Sequence, residues 1–441
     1  MLVGSQVRRV AVVGGMRIPF ARGHGAYAKV GNQDMFTAVL QALVAKYRIA
    51  GERLGDVTAG AVLKHSKDFN LVRECVLSSG LDPATPGLDM QRACGTGLDA
   101  TITIAMKIAL GQMDAGIAGG FDTVSDPPIV YPRSYQQLLL RAYRGKTLGQ
   151  RITPFLGLRP RHFKPVMPGV LEPRTGLSMG EHCEQMAKTW KIARADQDAL
   201  ANASHVNAGA AWKRGFFSDL VIGEYQGLKM DNNVRADSTI EKLATLKPVF
   251  DRRSGMGTLT AGNSTPLTDG ASAVLLASED WARQRNLPIL AWFGHSKQWA
   301  VDYVSGKEGL LMAPAYAVPA MLRDANLTLQ DFDFYEIHEA FAAQVLCTLK
   351  AWESPEYCRE RLGLERPLGS IDRSKLNVNG SSVAMGHPFA ATGTRIVAQL
   401  AKQLSESSTA RRGLISVCTA GGMGVAAIME APTSIEARAA A

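Results

Sequence analysis

The chain has 441 residues, 46% of them hydrophobic and 20% charged, which suits a globular protein of two or three domains with a large core. No apolar run approaches the roughly 18 residues of a membrane-spanning helix. The opening "MLVGSQVRRVAVVGG" turns strand-like within ten residues, so no secretory leader is expected. The net charge of +9 is local: between Asp126 and Glu172 there is no acidic residue, but there are Arg133, Arg141, Arg144, Lys146, Arg151, Arg159, Arg161 and Lys164. Without those eight the chain would carry +1, which excludes a general nucleic-acid role.

Strand-like and helical patterns alternate along the chain, as in an α/β fold with largely buried sheets. "VAVVGG" from Val10 reads as a strand, "DMFTAVLQALVAKY" as an amphipathic helix, "AGAVL" from Ala59 as a strand and "LVRECVLSSG" as a helix. Then come the strand "GLDMQRA", the helix "GLDATITIAMKIALG" and the strand "AGIAGG". Residues 127–178 are rich in Pro, Arg and Gly and lose the periodicity, although "YQQLLLRAY" has the spacing of a short helix with one apolar side. Helices resume at "MGEHCEQMAKTW" and "ADQDALANASHVNAGAAWKRG", and "GASAVLLAS" is again a strand. From about Pro288 a second series begins: "ILAWFGHS", the helix "AYAVPAMLRDAN", "DFYEI", the helix "EAFAAQVLCTLKAW", "KLNVNG", the helix "HPFAATGTRIVAQLAKQL", "GLISVC" and "GVAAIMEA". The two series run in parallel, which predicts a duplicated α/β unit with an insertion in its first half. The closing "ARAAA" is expected to be a frayed tail without a targeting or lipid signal.

Six cysteines are scattered at 75, 94, 183, 347, 358 and 418 with no CxxC pair, so neither a zinc site nor a disulfide framework is expected. A reducing, cytoplasmic setting would leave every thiol free. In open α/β sheets, ligands bind where strands end and helix N-termini converge, and four unusual segments fall at such places. "RACGTG" puts Cys94 before a long apolar helix, where the helix end would favour a thiolate and the Cys94 N–H would face a developing oxyanion. The plainer reading is a small core residue, since free cysteine is among the most buried types. "MGHPFAATG" holds His387 beside Pro388 at a helix start, able to take a proton from a nearby thiol or simply to cap the helix. "CTAGGMG" gives Cys418 a setting of close-approach glycines; a thiol there serves as acid and base, or is a buried residue before a turn. "IHEAFAAQ" places His338 and Glu339 at another junction, as an orienting or oxyanion-side group or as a helix-end pair.

These four segments resemble, in order and separation, the signature blocks of the thiolase family, and "GGFDTVS", "MGEHCEQMAK" and "TAGNSTPLTDGA" agree with it, so that the resemblance covers nearly the whole chain. His338 in place of the usual Asn and the basic insertion resemble the β subunits of fatty-acid oxidation trifunctional complexes. The resemblance implies α-β-α-β-α layers: a first half over 1–122, a loop domain over 123–249 covering the site, the end of the first half over 250–283, and a second half over 284–441. It implies cleavage of a 3-ketoacyl-CoA by free coenzyme A, the co-substrate, with no prosthetic group and no metal. His387 would take the Cys94 proton and Cys94 would attack the keto carbon. Backbone N–H groups of Cys94 and near Ala420 would hold one oxyanion; His387 and a water placed by His338 would hold the other; Cys418 would be the acid/base. Met179, Ala261, Thr265, Ala340 and Phe341 would line the pantetheine channel, with core packing the competing reading for Ala340 and Phe341. Ala420 stands where many members have glycine, and Ser178 precedes Met179 where some have histidine. A homodimer or tetramer is expected, with a hydratase/dehydrogenase α subunit or a membrane surface met through 133–164. A β-ketoacyl synthase would lack the second cysteine, a non-catalytic acyl-CoA binder would have lost one of Cys94, His387 and Cys418, and a biosynthetic acetoacetyl-CoA thiolase would run the same chemistry toward condensation.

Overall fold

A computed structural model describes residues 7–432, so the C-terminal "ARAAA" lies outside the described residues. In chain order the strands are β1 (Val10–Arg17), β2 (Ala21–Arg22), β3 (Asp56–Ala59), β4 (Gly87–Asp89), β5 (Ala115–Asp122), β6 (Thr268–Ser278), β7 (Ala291–Ala300), β8 (Phe334–Ile337), β9 (Arg412–Thr419) and β10 (Met423–Glu430). The helices are α1 (Asn32–Tyr47), α2 (Leu71–Leu77), α3 (Thr96–Ala109), α4 (Arg133–Arg144), α5 (Leu148–Ile152), α6 (Met179–Thr189), α7 (Arg194–Lys213), α8 (Ile240–Ala244), α9 (Glu279–Gln284), α10 (Ala313–Ala325), α11 (Ala342–Glu353), α12 (Pro355–Glu360), α13 (Ser382–Met385) and α14 (Ala391–Glu406).

The strands form one sheet in the order β4-β3-β5-β6-β1-β7-β10-β9-β8, with β2 paired to β6. Read outward from the β1–β7 junction, the halves mirror each other: β1-β6-β5-β3 on one side, β7-β10-β9-β8 on the other. Strand side chains alternate between faces, and the core divides accordingly. Val10, Val12, Val274, Leu276, Val425 and Ala427 meet Leu98, Ile102, Ile396 and Val397 of α3 and α14 in a central layer. Val13, Ala273 and Leu275 face the opposite way onto Phe36, Leu40 and Leu43 of α1, and Ala426 and Ile428 face Val318 and Met321 of α10. With α3 and α14 packed between the two halves of the sheet and α1 and α10 on their other faces, the layers are the predicted α-β-α-β-α.

Several boundaries differ from the sequence reading. The strand expected at "AGAVL" ends at Ala59, because the Val62 and Leu63 N–H groups donate to the Asp122 carboxylate instead of a neighbouring strand. The strand expected through Ala93 stops at Asp89, whose carboxylate takes the Val72 N–H and the Lys64 ammonium. "KLNVNG" forms no strand; Leu376 alone bridges to Tyr335, the counterpart of the β4–β3 pairing, after which Asn377 turns left-handed (φ 46°). The helix expected from His387 begins only at Ala391, so His387 sits in the turn ahead of it.

The insertion folds partly on itself. Helix α4 buries Leu138 and Ala142, and Tyr135 stacks on His162 (centroids 6.3 Å) and packs against Phe163 (5.3 Å). Its outer surface leaves Tyr143 86% and Leu156 83% exposed, with Leu140, Leu148 and Ile152 among the cations. Among the described residues, no helix is long and apolar enough to cross a membrane.

Candidate active site

The N-termini of α3 and α14 cross at two glycines. The Gly97 N–H donates to Ala390 O (3.0 Å), and a Cβ at Gly97 or Gly393 would overlap the other helix's backbone. This contact joins the turn that carries Cys94 to the one that carries His387. Before α3 the chain is bent: Ala93 has φ 43°, a region that L-residues seldom occupy. Thr96 stabilises the bend, accepting the Arg92 N–H (2.8 Å) and donating to Ala93 O (2.7 Å). A Cβ at Gly95 would press on Thr419 and Val425, so only glycine lets Cys94 approach the β9–β10 turn this closely. There the Cys94 sulfur meets the Ala420 N–H and its own N–H, and a charge on Cys94 is felt by Cys418. The nucleophile and acid/base candidates, 324 positions apart, are thus neighbours.

The expectation of a helix-lowered thiol is corrected by the structure. Burial pushes the Cys94 thiol up to about 12, and the Ala420 N–H only partly offsets it. Burial likewise holds Cys418 well above the ordinary thiol range rather than near neutrality, with Cys94 adding to the rise. Desolvation of the anion outweighs the partial charge of one helix end.

His387 is anchored at three points. Its N–H donates to Thr268 Oγ1 (3.1 Å), its Nδ1 pairs with Thr392 Oγ1 (2.6 Å), and Gly386 before it has φ 101°. Burial, with Arg395 nearby, lowers the imidazole to about 3, so it is neutral at physiological pH and suited to accept a proton. The His338 ring lies 4.2 Å from that of His387. Its Nδ1 pairs with Ser382 Oγ (2.8 Å), and burial, then His387, then Arg395 keep it well below its ordinary value. The Nε2 atoms of both histidines are buried without a protein partner.

Glu339 does not cap a helix, since α11 begins at Ala342. It is buried and accepts from Ser204 Oγ and Asn377 Nδ2, each at 2.6 Å, which fixes the loop that carries His338. The proposed channel residues divide. Thr265 is tied to the site by its N–H to Ala340 O (3.1 Å) and its hydroxyl to Ser382 O (2.9 Å). Met179, Ala340, Phe341 and Phe250 share an apolar cluster with Cys418, Phe341 meeting Phe250 edge-on (5.7 Å). Ala340 and Phe341 are buried in it, so they also serve as core, whereas Ala261 is exposed at the surface. Lys247 and Arg252 line an open depression of about 540 Å³ together with Val249 and Gly257.

Sequence reasoning missed Ser382, Arg395, Thr392 and Glu172. Glu172 had one signal, as the first carboxylate after the acid-free interval. Its Oε1 accepts the Gly421 N–H (2.6 Å) and its Oε2 the Tyr303 hydroxyl (2.9 Å), while Tyr303 packs where a Cβ on Gly422 would stand.

A pair of adjacent thiols and a pair of adjacent neutral imidazoles, carried on turns joined by the Gly97–Ala390 contact and with backbone N–H groups at the first sulfur, suit a cysteine-dependent acyl-transfer enzyme on a doubled α/β scaffold. The comparisons give the family. The thiolase N-terminal domain model matches residues 10–280 and the thiolase C-terminal domain model residues 290–431. The chain belongs to the thiolase family. A 3-ketoacyl-CoA thiolase of Shewanella sp. (strain W3-18-1) is 40% identical over 427 residues, covering 96% of this chain and 97% of that protein. One of Yersinia pestis (strain Pestoides F) is 41% identical over 434 residues, covering 97% and 98%. Among solved structures, the Bacillus anthracis acetyl-CoA acetyltransferase superimposes with a TM-score of 0.78 at 29% identity, covering 97% of this chain and 100% of that one. Human mitochondrial 3-ketoacyl-CoA thiolase in complex with CoA does so with a TM-score of 0.78 at 28% identity, covering 97% and 98%.

Proposed function

We propose that this enzyme cleaves 3-ketoacyl-CoA with free coenzyme A, releasing acetyl-CoA and an acyl-CoA shortened by two carbons, in fatty-acid β-oxidation. The observation that carries this reading is the meeting of Cys94 with the Ala420 N–H and Cys418. His387 Nε2 takes the Cys94 proton, and the sulfur adds to the keto carbon, C3. The alkoxide is held by the N–H groups of Cys94 and Ala420. The C2–C3 bond then breaks, leaving the acyl group on Cys94, and the acetyl-CoA enolate oxygen faces His387 and His338. Cys418 protonates C2, and its thiolate takes the proton of the incoming CoA. The CoA thiolate attacks acyl-Cys94, and the departing sulfur recovers its proton from His387. Two moderate steps replace one difficult step.

The degradative direction is favoured over synthesis by the two relatives at 40% and 41% identity, both named 3-ketoacyl-CoA thiolase. Thiolysis of a chain-length series of 3-ketoacyl-CoA substrates tests it. Turnover of the longer members supports β-oxidation, whereas activity on acetoacetyl-CoA alone favours the biosynthetic reading. Exposed Tyr143, Leu148 and Leu156 among Arg141, Arg144 and Arg151 suit contact with a hydratase/dehydrogenase subunit or an anionic membrane surface.

A further inference from the structure

Behind the two imidazoles lies a buried polar chain that the proposed reaction does not use. Arg395, on α14, is buried in the central layer, and its Nη2 donates to Ser382 Oγ at 3.0 Å. Ser382 Oγ in turn lies 2.8 Å from His338 Nδ1. All three side chains are buried.

The direction of each bond follows from what the groups can do. A guanidinium has donors only, so Ser382 Oγ is the acceptor toward Arg395. The serine hydroxyl has one hydrogen, and His338 Nδ1 is the one acceptor recorded for it among the described residues. Were Nδ1 protonated, that hydroxyl hydrogen would be stranded in the core as an unsatisfied buried donor. The neighbouring guanidinium also opposes a second proton on the ring. The same ring presents Nε2, without a protein partner, beside His387.

We infer that Arg395 and Ser382 lock His338 as the neutral Nε2–H tautomer, making it a fixed hydrogen-bond donor to the enolate oxygen and not a proton acceptor. This assigns the two adjacent imidazoles different tasks: His387 exchanges protons with Cys94, and His338 keeps its own. Ser382 and Arg395 are positioning residues that act through His338. The inference rests on the proposed thiolysis for its meaning but not for its test.

The test is nitrogen-15 NMR of the full-length enzyme labelled at histidine, with the His338 signals assigned by their loss in His338→Asn. The expected spectrum of the wild type has a protonated Nε2 and an unprotonated Nδ1 for His338 from pH 6 to 9. In Ser382→Ala the two tautomers should mix. kcat should fall on the order of 10–10²-fold, less than the roughly 10²–10³ for outright loss of an oxyanion donor, with KM for either substrate within about twofold. Ser382→Thr, which keeps the hydroxyl, should restore both signals and rate. A protonated Nδ1 in the wild type, or a Ser382→Ala enzyme with unchanged spectrum and kcat, overturns the inference even if thiolysis stands. Absence of thiolysis in a wild type with the expected tautomer overturns the function and leaves the lock intact.

Discussion

The Glu172 carboxylate accepts the Gly421 N–H at 2.6 Å, so a residue of the stretch between β5 and β6 holds the turn that presents Ala420 to Cys94. Both ends of this link are constrained. Glu172 is buried and also takes the Tyr303 hydroxyl, and Gly421 and Gly422 have φ of 76° and 70°. Replacing Glu172 with Ala should therefore let the Ala420 N–H drift from the oxyanion position. The expected loss in kcat is on the order of 10², with little change in the KM for CoA. Glu172→Gln, which keeps an acceptor, should retain most of the rate. Equal loss in both variants would mean that the charge, and not the acceptor geometry, matters.

Cys94 should carry the acyl group. Brief incubation with acetyl-CoA, followed by peptide mass spectrometry, should place acetyl on the peptide containing Cys94. Label on Cys418 alone would reverse the two roles. Cys418→Ala should still acquire some label on Cys94 but exchange the acetyl-CoA methyl protons with solvent on the order of 10²–10⁴ times more slowly.

The unliganded Cys94 should be a thiol at neutral pH, because burial lifts it to about 12. Its alkylation by iodoacetamide, followed by mass spectrometry, should rise roughly tenfold per pH unit from 7 to 10, as the thiolate fraction does. A plateau already at pH 7 would restore the helix-lowered thiolate expected from the sequence.

Acid should destabilise the fold through its buried neutral histidines. His205 accepts the Arg235 N–H at Nδ1 (3.2 Å), and burial lowers its pKa to about 4. Between the unfolded value near 6.5 and that folded value, the unfolded chain binds more protons. Stability from this group is therefore present above pH 6.5 and lost as pH falls toward 4, in total by about 3 kcal/mol. Urea unfolding of the wild type and His205→Asn at pH 7.5 and 5 should show a smaller acid loss in the variant. Identical losses would assign the acid sensitivity elsewhere.

Arg141, Arg144 and Arg151 changed together to Glu should abolish salt-sensitive association of the insertion while thiolysis of soluble substrates persists. Each cation near an anionic bilayer adds roughly 1 kcal/mol, so three charge reversals are decisive. Liposome co-sedimentation and co-purification with a hydratase/dehydrogenase subunit, each at low and moderate salt, would separate the two partners. Wild-type behaviour of the triple variant in both assays would reduce the segment to a cover over the site.

The four signature blocks were legible because their chemistry dictates residue type. A candidate nucleophile, a candidate base and close-approach glycines show themselves in a few consecutive letters, as in "RACGTG" and "MGHPFAATG". The supports were not legible, because they are made across the fold. Glu172 and Gly421 lie 249 positions apart and Ser382 and His338 lie 44 apart, and a lone Glu or Ser carries no mark of its partner. The boundaries that went astray have the same origin. Asp122 diverts the Val62 and Leu63 amides, and Asn377 bonds the Ile337 backbone through its side chain, both overriding local strand propensity. A helix end beside Cys94 can be read from sequence, whereas the depth of burial that raises its thiol cannot.

The crossing of α3 and α14 at Gly97 and Gly393 has a consequence for how the molecule comes into being. Synthesis delivers Cys94 some 290 residues before His387 and more than 320 before Cys418 and Ala420. Domains generally fold as they emerge, the N-terminal one first, yet in the proposed reaction the first half by itself would hold the nucleophile without its base, its acid or the Ala420 amide. On that reading a nascent chain would be chemically mute toward acyl-CoA until the second helix docks its glycine against the first.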